Sequence, residues 1–534
     1  MPRLIVTAVD TTGIQNYIFG SNVLKHNVGA SYLVRSATQD WVYEELVALG
    51  SSNIDQKGHF NSQTIETDSL TSELVYAGGG NTVILFHSQD IARDFTRRLT
   101  RRVLTQAPGL QLVVCHTEFD WQAEALSQVV QTVLEKVSQK KRNLIVSTPL
   151  LGVSVTADCQ YTGLPAVEKN KDNKRISAEI QAKETAFETA HSILTQLLPL
   201  NGYEIPKDFD DFGRTRGESS YIGVIHTDGN GMGKRVAAIA DRYPHPGDNR
   251  SYIQAIRDFS QSVKQAAQDA LVATYNQLIQ SIGPNNKIGD VVSIRDRKLP
   301  LRPIVMGGDD VTFVCDGRLA LTLTEFYLRQ VTARTLTDNK PLSVRAGIAV
   351  VKSHFPFARA YALAEDLTRS AKEYIKERAA PPFYEQDLSA MDWHVAVSGV
   401  TLNLQQIRQR EYTVPDGQLM MRPLRLASSS NDWRSWENFV TIINGFRSDK
   451  WNERRNKIIA LRDALRKGEK AVRAFLQVHA LPDLPVIPGN PDSAKTGWVG
   501  KHCVCFDAIE ALEFFVPLKV VGNEDLLAKI YPEK

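Results

Sequence analysis

Residues 303–316 read Pro-Ile-Val-Met-Gly307-Gly308-Asp309-Asp310-Val-Thr-Phe-Val-Cys-Asp. Two apolar runs of strand length flank a Gly-Gly-Asp-Asp turn, a pattern that predicts a β-hairpin. Gly-Gly and Asp-Asp pairs also occur in ordinary solvated turns. Adjacent carboxylates repel each other, however, and are stabilised by a cation beside them. Magnesium, or manganese, is the simplest candidate. Upstream, Tyr221-Ile-Gly-Val-Ile-His-Thr-Asp228-Gly-Asn230-Gly-Met-Gly-Lys234 gives a second apolar strand running into an aspartate and a glycine-rich turn. Downstream, Leu342-Ser-Val-Arg-Ala-Gly347-Ile-Ala-Val-Val351 predicts a third strand, and residues 358–378 a helix that carries Ala371-Lys372. A strand, two helices, a hairpin, a helix and a strand form the ferredoxin-like order.

The amino-terminal part repeats this plan. Val9-Asp10-Thr-Thr-Gly13-Ile-Gln15-Asn-Tyr17-Ile-Phe19 ends a first strand, and a helical stretch with Gly29-Ala30-Ser31 follows. Glu73-Leu-Val-Tyr-Ala-Gly78-Gly79-Gly80-Asn81-Thr-Val-Ile-Leu-Phe86 predicts a hairpin in which Gly-Gly-Gly-Asn replaces Gly-Gly-Asp-Asp. A helix over 89–106, a strand over 110–115 and a helix over 121–140 complete the copy. The chain thus holds an internal duplication, with carboxylates kept in one copy only. Gly78, Gly79, Gly80 and Asn81 offer backbone and amide groups without charge, suited to a nucleotide rather than a metal. A bulky side chain at Gly79 is expected to fill the space of such a ligand. The competing expectation is a decayed scaffold. Asp10, lacking acidic partners, is expected to be positional.

The 534 residues suffice for several domains, and the formal charge of +3 announces no global basic field. Five cysteines, an odd and scattered set, are expected to be reduced thiols, not disulfides. The chain opens on a strand with no leader pattern, and no apolar run reaches membrane-spanning length, so a cytoplasmic protein is expected. The divisions are 1–150, a first, degenerate nucleotide-binding palm; 151–215, a helical linker; 216–390, a catalytic palm; and 391–534, a helical domain. The fold class is α+β. Residues 447–473 are rich in Lys and Arg, read as a solvated face or an RNA or subunit contact. His502-Cys503-Val-Cys505 is expected to be core.

The strands ending at Asp228 and at Asp309-Asp310 look like the metal-holding strands of a palm-type nucleotide polymerase or cyclase. Asp10-Thr-Thr-Gly-Ile-Gln-Asn-Tyr-Ile-Phe, Gly29-Ala-Ser, Ala77-Gly-Gly-Gly-Asn, Asp228-Gly-Asn-Gly-Met-Gly and Gly307-Gly-Asp-Asp together resemble the large subunit of type III CRISPR effectors, the Cmr/Csm polymerase-cyclase family. Their order covers both palms and extends through Met421-Arg422-Pro423-Leu424. That resemblance implies the joining of ATP into cyclic oligoadenylate second messengers for antiviral defence. It assigns Asp228, Asp309 and Asp310 as catalytic metal ligands and Gly78–Asn81 as the acceptor side. Gly307 and Gly308 would adjoin the donor nucleotide. In the related GGDEF cyclases a lysine placed like Lys372 reaches the phosphates; Lys234, near a helix start, is a second candidate. Implied partners are ATP and, in a complex, guide and target RNA with other effector subunits.

Three departures from the family pattern stand out. None of the eleven histidines precedes an Asp, so an HD-type nuclease is not expected. Cys159 has Thr162 where a zinc-ligand partner would fall, and one cysteine cannot build a four-ligand zinc site. Asn230 replaces the second aspartate of the commoner Asp-Gly-Asp turn, and its replacement by Asp is expected to be tolerated. Two alternatives to the cyclase stay open: an idle RNA-binding scaffold subunit, or a free-standing synthase of a cyclic dinucleotide, for which a homo-oligomer is the expectation.

Overall fold

The computed structural model describes residues 3–144, 155–212, 220–378, 388–396, 403–426 and 432–519. The first unit runs β1 (Leu4–Thr12), α1 (Ile14–Phe19), α2 (Leu24–Thr38), α3 (Asp40–Leu49), β2 (Ser72–Gly78), β3 (Asn81–Phe86), α4 (Gln89–Gln106), β4 (Gln111–Phe119) and α5 (Leu126–Arg142). Its sheet has the order β2-β3-β1-β4, antiparallel throughout. β1 is central because both its faces are apolar. Leu4, Val6 and Ala8 enter one core, while Ile5 and Val9 enter another.

A two-stranded hairpin follows, β5 (Glu168–Lys169) with β6 (Arg175–Ile176), and then α6 (Ala178–Leu197). The helix expected within the 151–215 linker is present and is no free connector. Gly29 of α2 lies so close to α6 that a Cβ there would stand 1.9 Å from the Lys183 carbonyl oxygen. Gly29-Ala-Ser therefore serves helix packing, since only glycine allows such a backbone approach.

The second unit comprises β7 (Tyr221–Gly229), α7 (Met232–Ala240), α8 (Asn249–Gln280), a small hairpin of β8 (Lys287–Ile288) and β9 (Val292–Ser293), β10 (Leu301–Met306), β11 (Val311–Asp316), α9 (Ala320–Thr332), β12 (Val344–Lys352) and α10 (Phe357–Arg378). The strand order β10-β11-β7-β12 repeats that of the first unit. The α+β class, built on two ferredoxin-like palms, is what the structure shows. In α8, Ile256, Phe259, Val263, Ala267, Leu271 and Leu278 recur at helical spacing and bury one stripe along the whole helix.

The carboxy-terminal part contains β13 (Ala390–Val395), α11 (Leu404–Glu411), β14 (Thr413–Val414), β15 (Gly417–Gln418), β16 (Leu424–Arg425), α12 (Trp436–Arg447), α13 (Arg455–Arg466), α14 (Glu469–Val478), α15 (Ser493–Thr496), β17 (Trp498–Val499), β18 (His502–Cys503) and α16 (Phe506–Ala511). The palm sheet overruns the boundary drawn at 390: β13 pairs parallel with β12, and β16 antiparallel with β13. The reason is burial, with Met391, Trp393 and Leu424 all in the palm core. Helices here share the domain with a small sheet ordered β14-β15-β18-β17. Arg422 joins the parts: buried, it pairs with Asp507 at 2.7 Å and faces the rings of Trp393 and Tyr412. Cys503 and Cys505 are buried in the core. Several cations of the basic segment turn inward, Arg447 donating to the Phe515 carbonyl at 2.6 Å and Arg466 to that of Glu411 at 2.7 Å. Among the described residues no helix is long and apolar enough to cross a membrane.

The palms meet along α8. Glu73 of β2, fully buried, receives Arg250 at 2.5 Å and Arg257 at 3.3 Å. From the other side, Phe19 of α1 stacks on Tyr361 of α10.

Candidate active site

Strand register aligns the two palms residue by residue. Val311 of β11 faces Thr227 of β7, which brings Asp310 opposite Asp228 one step further out. In the first palm Asn81 faces Asp10. Each hairpin bears a bulge at the same place, between Leu74 and Tyr76 and between Pro303 and Val305. Asp10 therefore corresponds to Asp228, Gly80 to Asp309 and Asn81 to Asp310. Each first-strand aspartate also leads into a helix capped by a left-handed glycine, Gly13 or Gly231. Asp10 pairs with Lys141 at 2.5 Å, consistent with a positional role.

Asp228 ends the central strand of the second palm, and Arg345 of neighbouring β12 engages its Oδ2. The same guanidinium donates to the Gly229 carbonyl at 3.0 Å and to Asn230 Oδ1 at 2.8 Å. The hairpin turn then folds onto Gly229, where a Cβ would lie 2.8 Å from Asp309 Cβ and 2.8 Å from Met232 Cγ. Gly229 thus lets Asp309, the end of β7 and the start of α7 converge. Within the turn Gly307 N–H donates to the Asp310 carbonyl at 2.8 Å, and Gly308 takes a left-handed φ of 97°.

Electrostatics at this point are strained. Burial, then the charges of Asp228 and Asp310, push the Asp309 carboxyl up to about 7. Burial, with the Asp310 charge, also raises Asp228 despite Arg345. Asp310 Oδ1 is buried without a hydrogen-bond partner, and His226 Nδ1 stands 3.3 Å from it. Burial lowers the His226 imidazolium, but the neighbouring Asp310 carboxylate outweighs it and holds the group above its ordinary value. Among the described residues no group of three or more His, Cys, Asp or Glu is gathered as a formed metal cluster. The donor set nevertheless fits a hard divalent cation, being oxygen-only and short of positive charge at Asp309 and Asp310.

The remaining sequence candidates fall in different places. Lys372 on α10 is near enough to Asp228 for its charge to favour that carboxylate. Lys234 is exposed in the first turn of α7. Its neighbour Arg235 is buried against Asp338 at 2.5 Å, a structural role. Asn230 is no ligand candidate. Its Nδ2 donates to the Leu388 carbonyl at 2.7 Å, a bond that aspartate could not make and that speaks against its being tolerated there. In the first palm Gly79 and Gly80 form a tight turn with φ of 59° and 82°, and no atom lies within 4 Å of a Cβ built on Gly79. Asn81 Oδ1 is buried without a partner. Gly78 faces Ser260 Oγ of α8, and Gly308 faces Val263 one helical turn on, so both glycine turns rest on the same helix. Arg345 and His226 had no role in the sequence expectations. Their signal was present as a charged and a polarisable residue inside otherwise apolar strands.

Residues 221–380 match the family model described as Cas10/Cmr2, second palm domain. No curated protein matches the chain. Among solved structures it is similar to Csm1 in T.onnurineus, with 15% identity and a TM-score of 0.53, covering 96% of this chain and 70% of that one. It is also similar to a chain of the Csm1-Csm4 cassette in complex with cA3 (13% identity, TM-score 0.53, 96% and 70% covered). The cassette in complex with cA4 gives 12% identity and a TM-score of 0.51, with 96% and 69% covered. At such identities the likeness is one of fold.

Proposed function

Because residues 221–380 form a second palm domain of the Cas10/Cmr2 family in a chain folded like Csm1, we propose that this protein is a magnesium-dependent nucleotidyltransferase that joins ATP into cyclic oligoadenylates. The observation that carries this is the convergence of Asp228, Asp309 and Asp310 at one strand end, with the Asp228 and Asp309 carboxyls raised by desolvation and by neighbouring carboxylate charge. Solved chains of this fold were captured with cA3, cA4 and AMPPNP, ligands of the same chemical class.

Asp309, Asp310 and the Asp228 Oδ1 not engaged by Arg345 are the oxygens that would hold magnesium. Bound there, the ion would supply neutralisation of the triphosphate and acidification of the attacking 3′-hydroxyl. Arg345 orients Asp228 and partly offsets the burial that disfavours its charge. Gly307 and Gly308 let the backbone approach the donor, while Lys372 and Lys234 attract its phosphates. Gly78, Gly79, Gly80 and Asn81 hold the acceptor nucleotide. The acceptor 3′-oxygen forms a bond to the donor α-phosphorus, the α–β phosphoanhydride breaks and pyrophosphate leaves. Fixing both nucleotides across the palm interface contributes roughly 7–11 kcal/mol by proximity.

The test is incubation of the pure protein with each of the four nucleoside triphosphates and magnesium or manganese, with products identified by mass spectrometry. Cyclic oligoadenylates are expected from ATP. A cyclic dinucleotide would favour the free-standing synthase, and no product even with effector subunits and target RNA would leave the scaffold.

A further inference from the structure

Arg35 lies in the last turn of α2, and Thr82, next to Asn81, ties its hydroxyl to the Thr38 carbonyl at the end of that helix. Lys264 lies on α8, one turn beyond the Ser260 that faces Gly78. The two cations therefore approach the first palm's glycine turn from different palms. Their charges act on each other, and Asp40 is the carboxylate that interacts with both. Arg35 Nη2 reaches Asp40 Oδ1 only at 3.4 Å, and Ser36 shares the same carboxylate. Arg35 Nε is buried without a hydrogen-bond partner, as is Asn81 Oδ1 in the turn itself. One carboxylate between two cations leaves a net positive charge beside the open glycine turn, which a bound anion would offset.

We propose that Arg35 and Lys264 form a phosphate clamp for the nucleoside triphosphate held at Gly78–Asn81, one cation from each palm, so that nucleotide binding fastens the palms together. This rests on the nucleotide-binding role given to the first palm. A guanidinium offers a planar fork to phosphate oxygens and the ammonium a mobile point charge. The clamp recognises the triphosphate and is indifferent to the base. Ser260 and Val263 place the catalytic turn one helical turn from the same anion, which sets the acceptor in register with Asp309 and Asp310.

The test is calorimetric titration of the whole chain with AMPPNP and magnesium, and separately with adenosine. Wild type should show two AMPPNP sites. D310N should abolish the metal-dependent one. K264M and R35M should weaken the other at least tenfold, leave adenosine affinity within twofold, and K264R should restore it. Lys264 is exposed on its helix, so K264M keeps the fold even if R35M does not. Unchanged AMPPNP affinity in K264M overturns the clamp, as does a wild type whose sole site is the one D310N removes. A chain that binds as described but makes no product from ATP refutes the cyclase reading and leaves the clamp standing.

Discussion

At Asn230 one amide nitrogen decides what a substitution does. Nδ2 donates to the Leu388 carbonyl and Oδ1 accepts from Arg345, so the side chain braces the catalytic strand against β12 and the start of β13. Asn230→Asp would turn a carboxylate oxygen toward that carbonyl. The expected cost is about 1–3 kcal/mol in a denaturant melt, the penalty of a buried polar mismatch. Unchanged stability with tighter magnesium binding would restore a ligand role. Asp309→Asn acts in the opposite sense. It removes a carboxyl already driven toward its neutral form, so the melting temperature in EDTA should stay level or rise slightly. Turnover should fall at least about a hundredfold, as expected when preorganised charge at the reacting phosphate is lost. Full turnover in this variant would dismiss the catalytic assignment.

The elements are held at their distances by glycines, for different physical reasons. At Gly347 of β12 a Cβ would stand 2.0 Å from the Ala364 carbonyl oxygen of α10. Gly347→Ala should therefore push α10, and Lys372 with it, away from Asp228. Overpacking of this kind costs about 1–3 kcal/mol, and the clash with backbone points to the upper end. Reduced Tm together with a raised KM for ATP is the expected pair of readings. Gly79 is limited by conformation and not by space. At φ 59° with nothing near its Cβ position, Gly79→Val would strain the backbone by about 1–2 kcal/mol before any ligand is met. Lost activity in that variant would report strain as much as a filled site, so the charge substitutions at α8 are the better probe of the first palm.

Across the whole molecule Glu73 ties the two palms along α8, beside the Arg250–Glu66 pair and the Phe19–Tyr361 stack. Its buried carboxylate neutralises two arginines of α8, and Glu73→Ala would leave both without it. Breaking a buried ion pair costs about 3–5 kcal/mol. The first unfolding transition of this variant should fall in temperature, and the two palms should unfold in separable steps; a single unshifted transition would mean that Glu66 and the Phe19–Tyr361 stack hold the palms together without Glu73. On the far side of the catalytic palm, His394 is buried, and that burial, with Arg422 and Arg408, lowers its imidazolium to about 3. The folded protein thus binds this proton less readily than the unfolded chain, which takes it up near 6.5. Its contribution is intact above about 6.5 and is lost as the pH falls toward 3. His394→Asn should flatten that part of a Tm–pH curve, and an unchanged slope would assign the acid sensitivity to other groups.

What the sequence by itself determined is whatever acts over a few neighbouring residues. Apolar alternation and paired glycines marked both hairpins, Asp228, Asp309 and Asp310 marked the acidic strand ends, and the repeated order of elements marked two palms. These signals are local because strand period, turn conformation and the repulsion of adjacent carboxylates are local. Only the tertiary structure decided that Arg345 engages Asp228, that His226 stands beside Asp310, and that α2 and α8 bring Arg35 and Lys264 within reach of each other's charge. Each of these pairs joins residues far apart in the chain through strand register or helix packing. The overrun of the sheet into β13 and β16 belongs here too, since only the packed core shows that Met391, Trp393 and Leu424 have nowhere drier to go.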